Sequence, residues 1–237
     1  MKTRDRIIHA AIELFNQRGE QNVTTNHIAA HLGMSPGNLY YHFRNKEDII
    51  QAIFELYAQE LETLFALKDE QPVEAIGSLQ ASLAYLERVL YVIWRYRFAY
   101  DNLTDILARS ESLSYWYRQI QEPVYGLMQR HIAGLRSNGI LKVEDDVDLD
   151  HLLHLMKQVL IFWVAYQRTL HPGSVLTRST VFEVIPRVLF LFRPYIAAEH
   201  QAELAGIDAY FRAKQAELDG GTSASLAAAS VELATFD

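Results

Sequence analysis

Between Ser35 and Lys46 the chain gathers an amide (Asn38), two phenols (Tyr40 and Tyr41), an imidazole (His42) and two cations (Arg44 and Lys46). These are hydrogen-bond donors rather than a nucleophile with its base. An asparagine amide pairs bidentately with adenine in a major groove. Phenols, imidazole and cationic side chains donate to phosphate oxygens, which position a protein on nucleic acid without reading its sequence. Gly37, just before Asn38, has no side chain to hold the backbone away from a base edge. The chemistry on offer is recognition of a duplex, with one side chain able to read a base and several able to grip the backbone.

Two short helices joined by a tight turn would present these groups. Thr24 and Thr25 can cap the first, a hydroxyl accepting from an orphan amide of the opening turn. Ile28, Ala29 and Leu32 give it a narrow apolar stripe, and Gly33 ends it. Ser35 is a favoured cap for the second helix, with Pro36 at its first position. Leu39 and Phe43, four apart, point inward and leave Gly37, Asn38, Tyr41 and His42 outward, with Tyr40 at the edge. Lys46-Glu47-Asp48 opens the following helix, whose first amides could hold a phosphate. An amphipathic helix over 4–18 precedes the pair, giving a helix-turn-helix of three helices.

The pattern TTxxIAxxLGxSxGxLYYHFxxKxxI closely resembles the DNA-binding region of the TetR family of bacterial transcriptional repressors. The resemblance implies that Thr25 and Asn26 meet backbone or bases, that Pro36, Gly37, Asn38 and Tyr41 face bases, and that Tyr40, His42 and Lys46 hold phosphates. Thr24 and Ser35 join that set as caps. It implies a homodimer on a palindromic double-stranded operator and a ligand-responsive repressor; Glu111, Ser112, Ser114 and the scattered acids form no nucleophile-base-orienter arrangement, so no enzyme is expected. The chain departs from a rich readout face, since Pro36 and Gly37 offer shape and only Asn38 a hydrogen-bonding edge.

Composition limits the alternatives. The 237 residues carry a net charge of −7, which argues against a protein that coats nucleic acid. The acidic excess lies after the head: before Glu47 the cations Lys2, Arg4, Arg6, Arg18, Arg44 and Lys46 outnumber Asp5, Glu13 and Glu20. With no cysteine there are no disulfides and no thiol chemistry. The polar N-terminus is no signal peptide, and Lys157, Arg168, Arg187 and Arg193 interrupt the apolar runs too often for a membrane span, so a cytoplasmic protein with no membrane partner is expected.

The rest reads as helix, making an all-α protein: a DNA-binding domain over 1–46, a regulatory and dimerisation domain over 47–218 and a flexible or short helical tail over 219–237. A helix over 46–67 links the two domains, and Gln71-Pro72 marks a break. One or two helices over 73–109 divide near Tyr100-Asp101-Asn102, and another runs from Leu113 to Ser137 with a kink at Pro123. Two very apolar helices follow, over about 148–170 and 177–197, with kinks at Pro186 and Pro194. They are apolar on more than one face, and pairing with a twofold copy in a four-helix bundle would cover the second. Gly220-Gly221-Thr222-Ser223-Ala224-Ser225 reads as a flexible linker.

A second cluster is aromatic. Tyr91, Trp94, Arg95 and Phe98, with Trp116 and, further on, Phe162, Trp163 and Tyr166, could wall a cavity for a small apolar or anionic effector. The plainer account is ordinary core with arginines paired to acids, and the alternative function is a DNA-binding regulator governed by a protein partner. His27 with His31, and His151 with His154 beside Asp145, Asp146, Asp148 and Asp150, have metal-like spacing; readout geometry and a solvated acidic helix start explain them more simply, so no metal and no cofactor is expected.

Overall fold

Side-chain caps set the first helices. In the computed structural model, which describes residues 2–65 and 77–220, α1 (Thr3–Arg18) stops at Gly19 with φ at +78°. α2 (Thr25–His31) begins on the Thr24 hydroxyl, which accepts from the His27 amide, and His27 Nδ1 in turn accepts from the Thr24 amide. Gly33, at φ +64°, makes the turn that an L side chain would strain. α3 (Pro36–His42) opens on Ser35, whose hydroxyl accepts from the Asn38 amide. α4 (Lys46–Leu64) opens on the Asn45 side chain, which accepts from the Asp48 amide at 2.7 Å. Ile7, Leu14 and Phe15 of α1, Ile28 of α2, Leu39 of α3 and Ile49, Ile50 and Ile53 of α4 form one buried core. The first half of α4 is thus built into the N-terminal head.

The body comprises α5 (Leu79–Arg95), α6 (Arg97–Asp101), α7 (Leu103–Ala108), α8 (Glu111–Ser137), α9 (Asp146–Leu170), α10 (Arg178–Phe182), α11 (Val184–Phe192) and α12 (Gln201–Gly220). α4 packs on α8, α9 on α6 and α11, and α12 on α10 and α11. Leu90 and Ile93, Met128, Met156 and Val164, Ile185 and Val188, and Phe211 centre a second core. The chain is all-α, a three-helix helix-turn-helix head on a helical body, and no helix among the described residues is long and apolar enough to cross a membrane.

Several boundaries differ from the sequence expectation. The stretch 177–197 is not one helix: it breaks at Glu183 between α10 and α11 and ends in a 3-10 turn at Arg193–Tyr195. Pro186 has no amide hydrogen for the Phe182 carbonyl, and the break at Glu183 leaves it in the first turn of α11, where that loss costs least. α8, by contrast, continues through Pro123. The helix before Asn102 is also interrupted at Tyr96, where Asn16 of α1 donates to the Arg95 carbonyl at 2.8 Å and accepts from the Phe98 amide at 3.1 Å. A side chain from the head therefore satisfies the end of α5 and the start of α6. The Gln71-Pro72 break and the tail beyond Gly220 lie outside the described residues.

Candidate nucleic-acid interface and internal cavity

α3 is held from beneath by Leu39 and Phe43, both buried, so its other face is free. Pro36, Gly37 and Asn38 are exposed, and Tyr41 is the most open of the large side chains there at 85% exposure. A Cβ placed on Gly37 meets nothing within 4 Å, so the glycine serves no internal contact. Tyr40 is half-exposed, and its hydroxyl lies 3.2 Å from Thr25 Oγ1, joining α3 to the start of α2. Asn26 is exposed beside it, whereas Thr24 and Ser35 spend their oxygens as caps. His42 is half-buried with its ring edge-on to Tyr41. Asn38 and Tyr41 therefore share one open face with the backbone at Gly37, and Tyr40, Thr25 and Asn26 flank it.

Lys46 is placed differently from the phosphate-holding position that the family resemblance implies. Its Nζ lies 2.8 Å from Glu20 Oε1 and donates to the Glu20 carbonyl at 3.1 Å. Glu20, 0% exposed, also receives both Arg109 guanidinium nitrogens, at 3.1 and 2.6 Å. Burial pushes the Glu20 carboxyl up, but the hydrogen bonds and charges of Arg109 and Lys46 outweigh it and hold the group below its ordinary value. The reason lies in three dimensions: the turn after α1 brings Glu20 under the start of α4, and a buried carboxylate requires partners. Because Arg109 belongs to the body, Glu20 also ties the head to it. Asn16, the Phe15–Phe98 ring contact at 5.1 Å and a Gln21–Asp105 hydrogen bond of 3.3 Å complete this junction.

The body contains a cavity of about 70 Å³ between α4, α5, α8 and α9. Tyr57 and Leu61 of α4, Tyr85, Val89 and Ile93 of α5, Gln121, Tyr125 and Met128 of α8, and Lys157 and Leu160 of α9 line it, and Tyr100 of α6 reaches in. The Tyr57 and Tyr100 hydroxyls are 3.0 Å apart. Burial pushes the Tyr57 phenol up to about 12 against hydrogen bonds from Tyr100 and Gln121, and burial raises Tyr85 and Tyr100 as well, so at neutral pH these phenols keep their protons.

None of the eight individual positions named for a pocket lines this cavity, although Tyr85 and Tyr100, from the same aromatic stretch over 85–103, do. Tyr91 packs toward the head-side core, and Phe98 is buried against Phe15. Trp94 lies under the guanidinium of Arg97 at 3.9 Å and near that of Arg178 at 5.6 Å, and burial with the charges of Arg178 and Arg168 pulls Arg97 down to about 10. Arg95 pairs with Glu60 at 2.8 Å, and Trp116 sits beside Tyr115 near the surface. Trp163 is core, its indole N–H donating to the Thr180 carbonyl at 2.7 Å, whereas Phe162 and Tyr166 face outward. The difference follows from helical geometry: at ~100° per residue, Tyr85, Val89, Val92 and Ile93 share one arc of α5 and Trp94 falls on the opposite side. The i, i+4, i+8 spacing of Tyr85, Val89 and Ile93 was visible in the sequence, but nothing in it separates a cavity wall from a filled core.

An exposed recognition helix in a helix-turn-helix head, carried on a helical body, defines a DNA-binding transcription regulator. Residues 7–53 match the family model described as bacterial regulatory proteins, tetR family, and residues 56–204 match that of a bacterial transcriptional repressor, TetR. The chain belongs to the TetR family of bacterial transcriptional regulators. A TetR-family transcriptional regulator from Marinobacter aquaeolei VT8 is 34% identical with a TM-score of 0.76, over 89% of this chain and 99% of that one. The HTH-type transcriptional regulator UidR of Escherichia coli (strain K12) is 39% identical over 74 residues, 31% of this chain and 36% of UidR. The match thus spans about a third of this curated relative. The ketosteroid transcriptional regulator KstR2 of Mycobacterium tuberculosis shares the fold alone, with a TM-score of 0.56 at 19% identity over 83% of this chain and 96% of that one.

Proposed function

We propose that the protein is a ligand-responsive repressor that binds a palindromic operator as a homodimer, with a DNA-binding domain over 1–46, a regulatory and dimerisation domain over 47–218 and a tail after it. The observation that carries this reading is the continuity of α4. Ile49, Ile50 and Ile53 lie in the core of the head, and Tyr57 and Leu61, two turns on, wall the cavity. An occupant that displaces Tyr57 or Leu61 moves the helix on which the head is built. Its effect on DNA equals its preference for one of the two conformations and no more.

Asn38 reads a base, Gly37 and Pro36 let the backbone approach, Tyr41 meets bases at its open end, and Thr25, Asn26, Tyr40, His42 and Arg44 hold phosphates. Lys46 acts from beneath, by neutralising Glu20. Dimerisation is supported by an apolar stripe on α9, where Leu155, Phe162, Tyr166 and Leu170 fall within one narrow arc and are each about half-exposed, and by Phe190 of α11, 70% exposed. A twofold copy laid on these two helices makes a four-helix bundle.

The test is a gel-shift titration against the DNA flanking the protein's own gene and against random duplex, at two salt concentrations, with sedimentation of the free protein. The expected result is a dimer that prefers the flanking DNA and weakens steeply with salt. A monomer, or the same affinity for both duplexes, would overturn the reading.

A further inference from the structure

The cavity holds one charged group and it is positive. Lys157 stands half-buried at its wall, with its ammonium 5.0 Å above the Tyr125 ring. Among the described residues Lys157 has no ion pair, and no aspartate or glutamate lines the space. Asp150, the acid on the same side of α9, accepts from the Tyr125 hydroxyl at 3.1 Å and pairs with His154 at 3.3 Å. The neighbouring carboxylate is therefore spent on other partners. Lys157 thus brings a positive charge to the wall of an apolar space whose lining has no carboxylate, and an anion entering that space would meet its partner there.

Of the other polar groups four are phenols, Tyr125 donating to Asp150, and the fifth is the Gln121 amide, which both donates and accepts. Tyr57 and Tyr100 share one hydrogen bond between two hydroxyls, which leaves one phenolic proton for a further acceptor. The Tyr85 hydroxyl has no hydrogen-bond partner among the described residues, its ring being stacked on His131 at 5.8 Å and tilted against Phe65 at 5.2 Å. Since these phenols hold their protons at neutral pH, they would favour a ligand with acceptor oxygens over one with acidic hydrogens. The remaining wall is hydrocarbon and sulfur: Leu61, Phe65, Val89, Ile93, Met128 and Leu160. At ~10–15 Å³ per water in this measure, 70 Å³ has room for roughly five to seven waters. That is the scale of a compact hydrocarbon or aryl body.

We propose that the cavity takes a small apolar monoanion, a carboxylate whose hydrocarbon or aryl body lies among Leu61, Val89, Ile93 and Met128 and whose charged oxygens meet Lys157 at the wall. The inference rests on the cavity being the effector site, and it adds the charge, the size and the residue that selects them. It places selectivity in α9, whose other face carries the apolar dimer stripe, so an anion on Lys157 pulls on the same helix that the second subunit would touch.

The test compares phenylacetate and hexanoate with phenylacetamide and hexanamide, which keep the shape and remove the charge. Binding is measured by calorimetry at low salt on the full chain and on Lys157→Met, with duplex affinity recorded on the same preparations. Lys142→Met is the control, since that lysine sits on the surface beside Glu199 at 3.8 Å. The acids should bind about 10- to 100-fold more tightly than their amides. Lys157→Met should erase that preference while leaving amide binding in place, and Lys142→Met should keep it. Amides that bind as well as acids, a preference that survives Lys157→Met, or no binding of either series overturns the inference. Acids that show the preference yet leave duplex affinity unchanged keep the inference and remove the effector reading; amides that release DNA as well as acids do the reverse.

Discussion

Removing the guanidinium of Arg109 should cost stability mainly through the carboxylate it leaves behind. Two of its nitrogens donate to Glu20, at 3.1 and 2.6 Å, and hydrogen bonds to charged groups contribute ~1.5–3 kcal/mol each. Two such bonds would suggest ~3–6 kcal/mol, the range in which breaking a buried pair falls. Two facts reduce it. The Arg109 side chain is 31% exposed, so water partly screens it, and Lys46 still compensates Glu20 from 2.8 Å. A loss of about 2–3 kcal/mol is expected for Arg109→Met. Glu20→Gln removes the charge instead, and the cycle closed by the double variant should give a coupling of about 2 kcal/mol. Urea unfolding at fixed protomer concentration measures all four proteins, a precaution needed because association shifts the apparent midpoint. Glu20 is a stronger acid in the folded protein than in the unfolded chain, so its stabilisation is complete above the ordinary value of 4.5 and fades as pH falls through the lower folded value. The penalty of Arg109→Met should therefore shrink in acid. A coupling below about 0.5 kcal/mol, the level of an exposed pair, or a penalty that grows in acid would refute the reasoning.

Four further outcomes follow from the same geometry. Asn38→Ala should weaken operator binding by about 1–3 kcal/mol and relax base preference, read by titrating operators with single substitutions; equal losses on cognate and random duplex would contradict a base contact. Gly37→Leu should leave the thermal midpoint of the free protein nearly unchanged, since a Cβ there meets nothing within 4 Å, yet reduce duplex binding at least about tenfold by holding the backbone off the groove. Lys46→Ala should lower the urea midpoint as well as DNA affinity, because Lys46 neutralises the buried Glu20, and an unchanged midpoint would return the residue to a purely phosphate-facing role. Phe162→Glu together with Phe190→Glu should give a monomer by sedimentation while far-ultraviolet dichroism stays helical, as both side chains face outward in the single chain.

The structure locates its coupling elements where local pattern is silent. The linking role of α4 was readable, because its apolar residues continue without interruption from the head into the body. The Asn16 bridge was not: an asparagine on the rim of α1 has no local signature, yet it closes the break at Tyr96 with one donated and one accepted bond. The arginines beside Trp94 drew attention by composition, and the cavity lies on the opposite arc of the same helix.

Local chemistry decided everything that depends on neighbours in sequence. Thr24 and Ser35 as caps, Gly33 as the turn, Pro36 at a helix start and the inward pair Leu39 and Phe43 specify a helix-turn-helix whose outer face carries Asn38 and Tyr41, because caps, turns and helical periodicity act over three or four residues. The tertiary structure decided what each helix face meets: that Glu20 is buried between a lysine 26 positions away and an arginine 89 positions away, that Trp163 is core while Phe162 is surface, and that Tyr57, Tyr85 and Lys157 border a space rather than one another. A helical repeat states which residues share a side; whether that side meets another helix, water or a void depends on the packing of segments far apart in the chain, which no local pattern encodes.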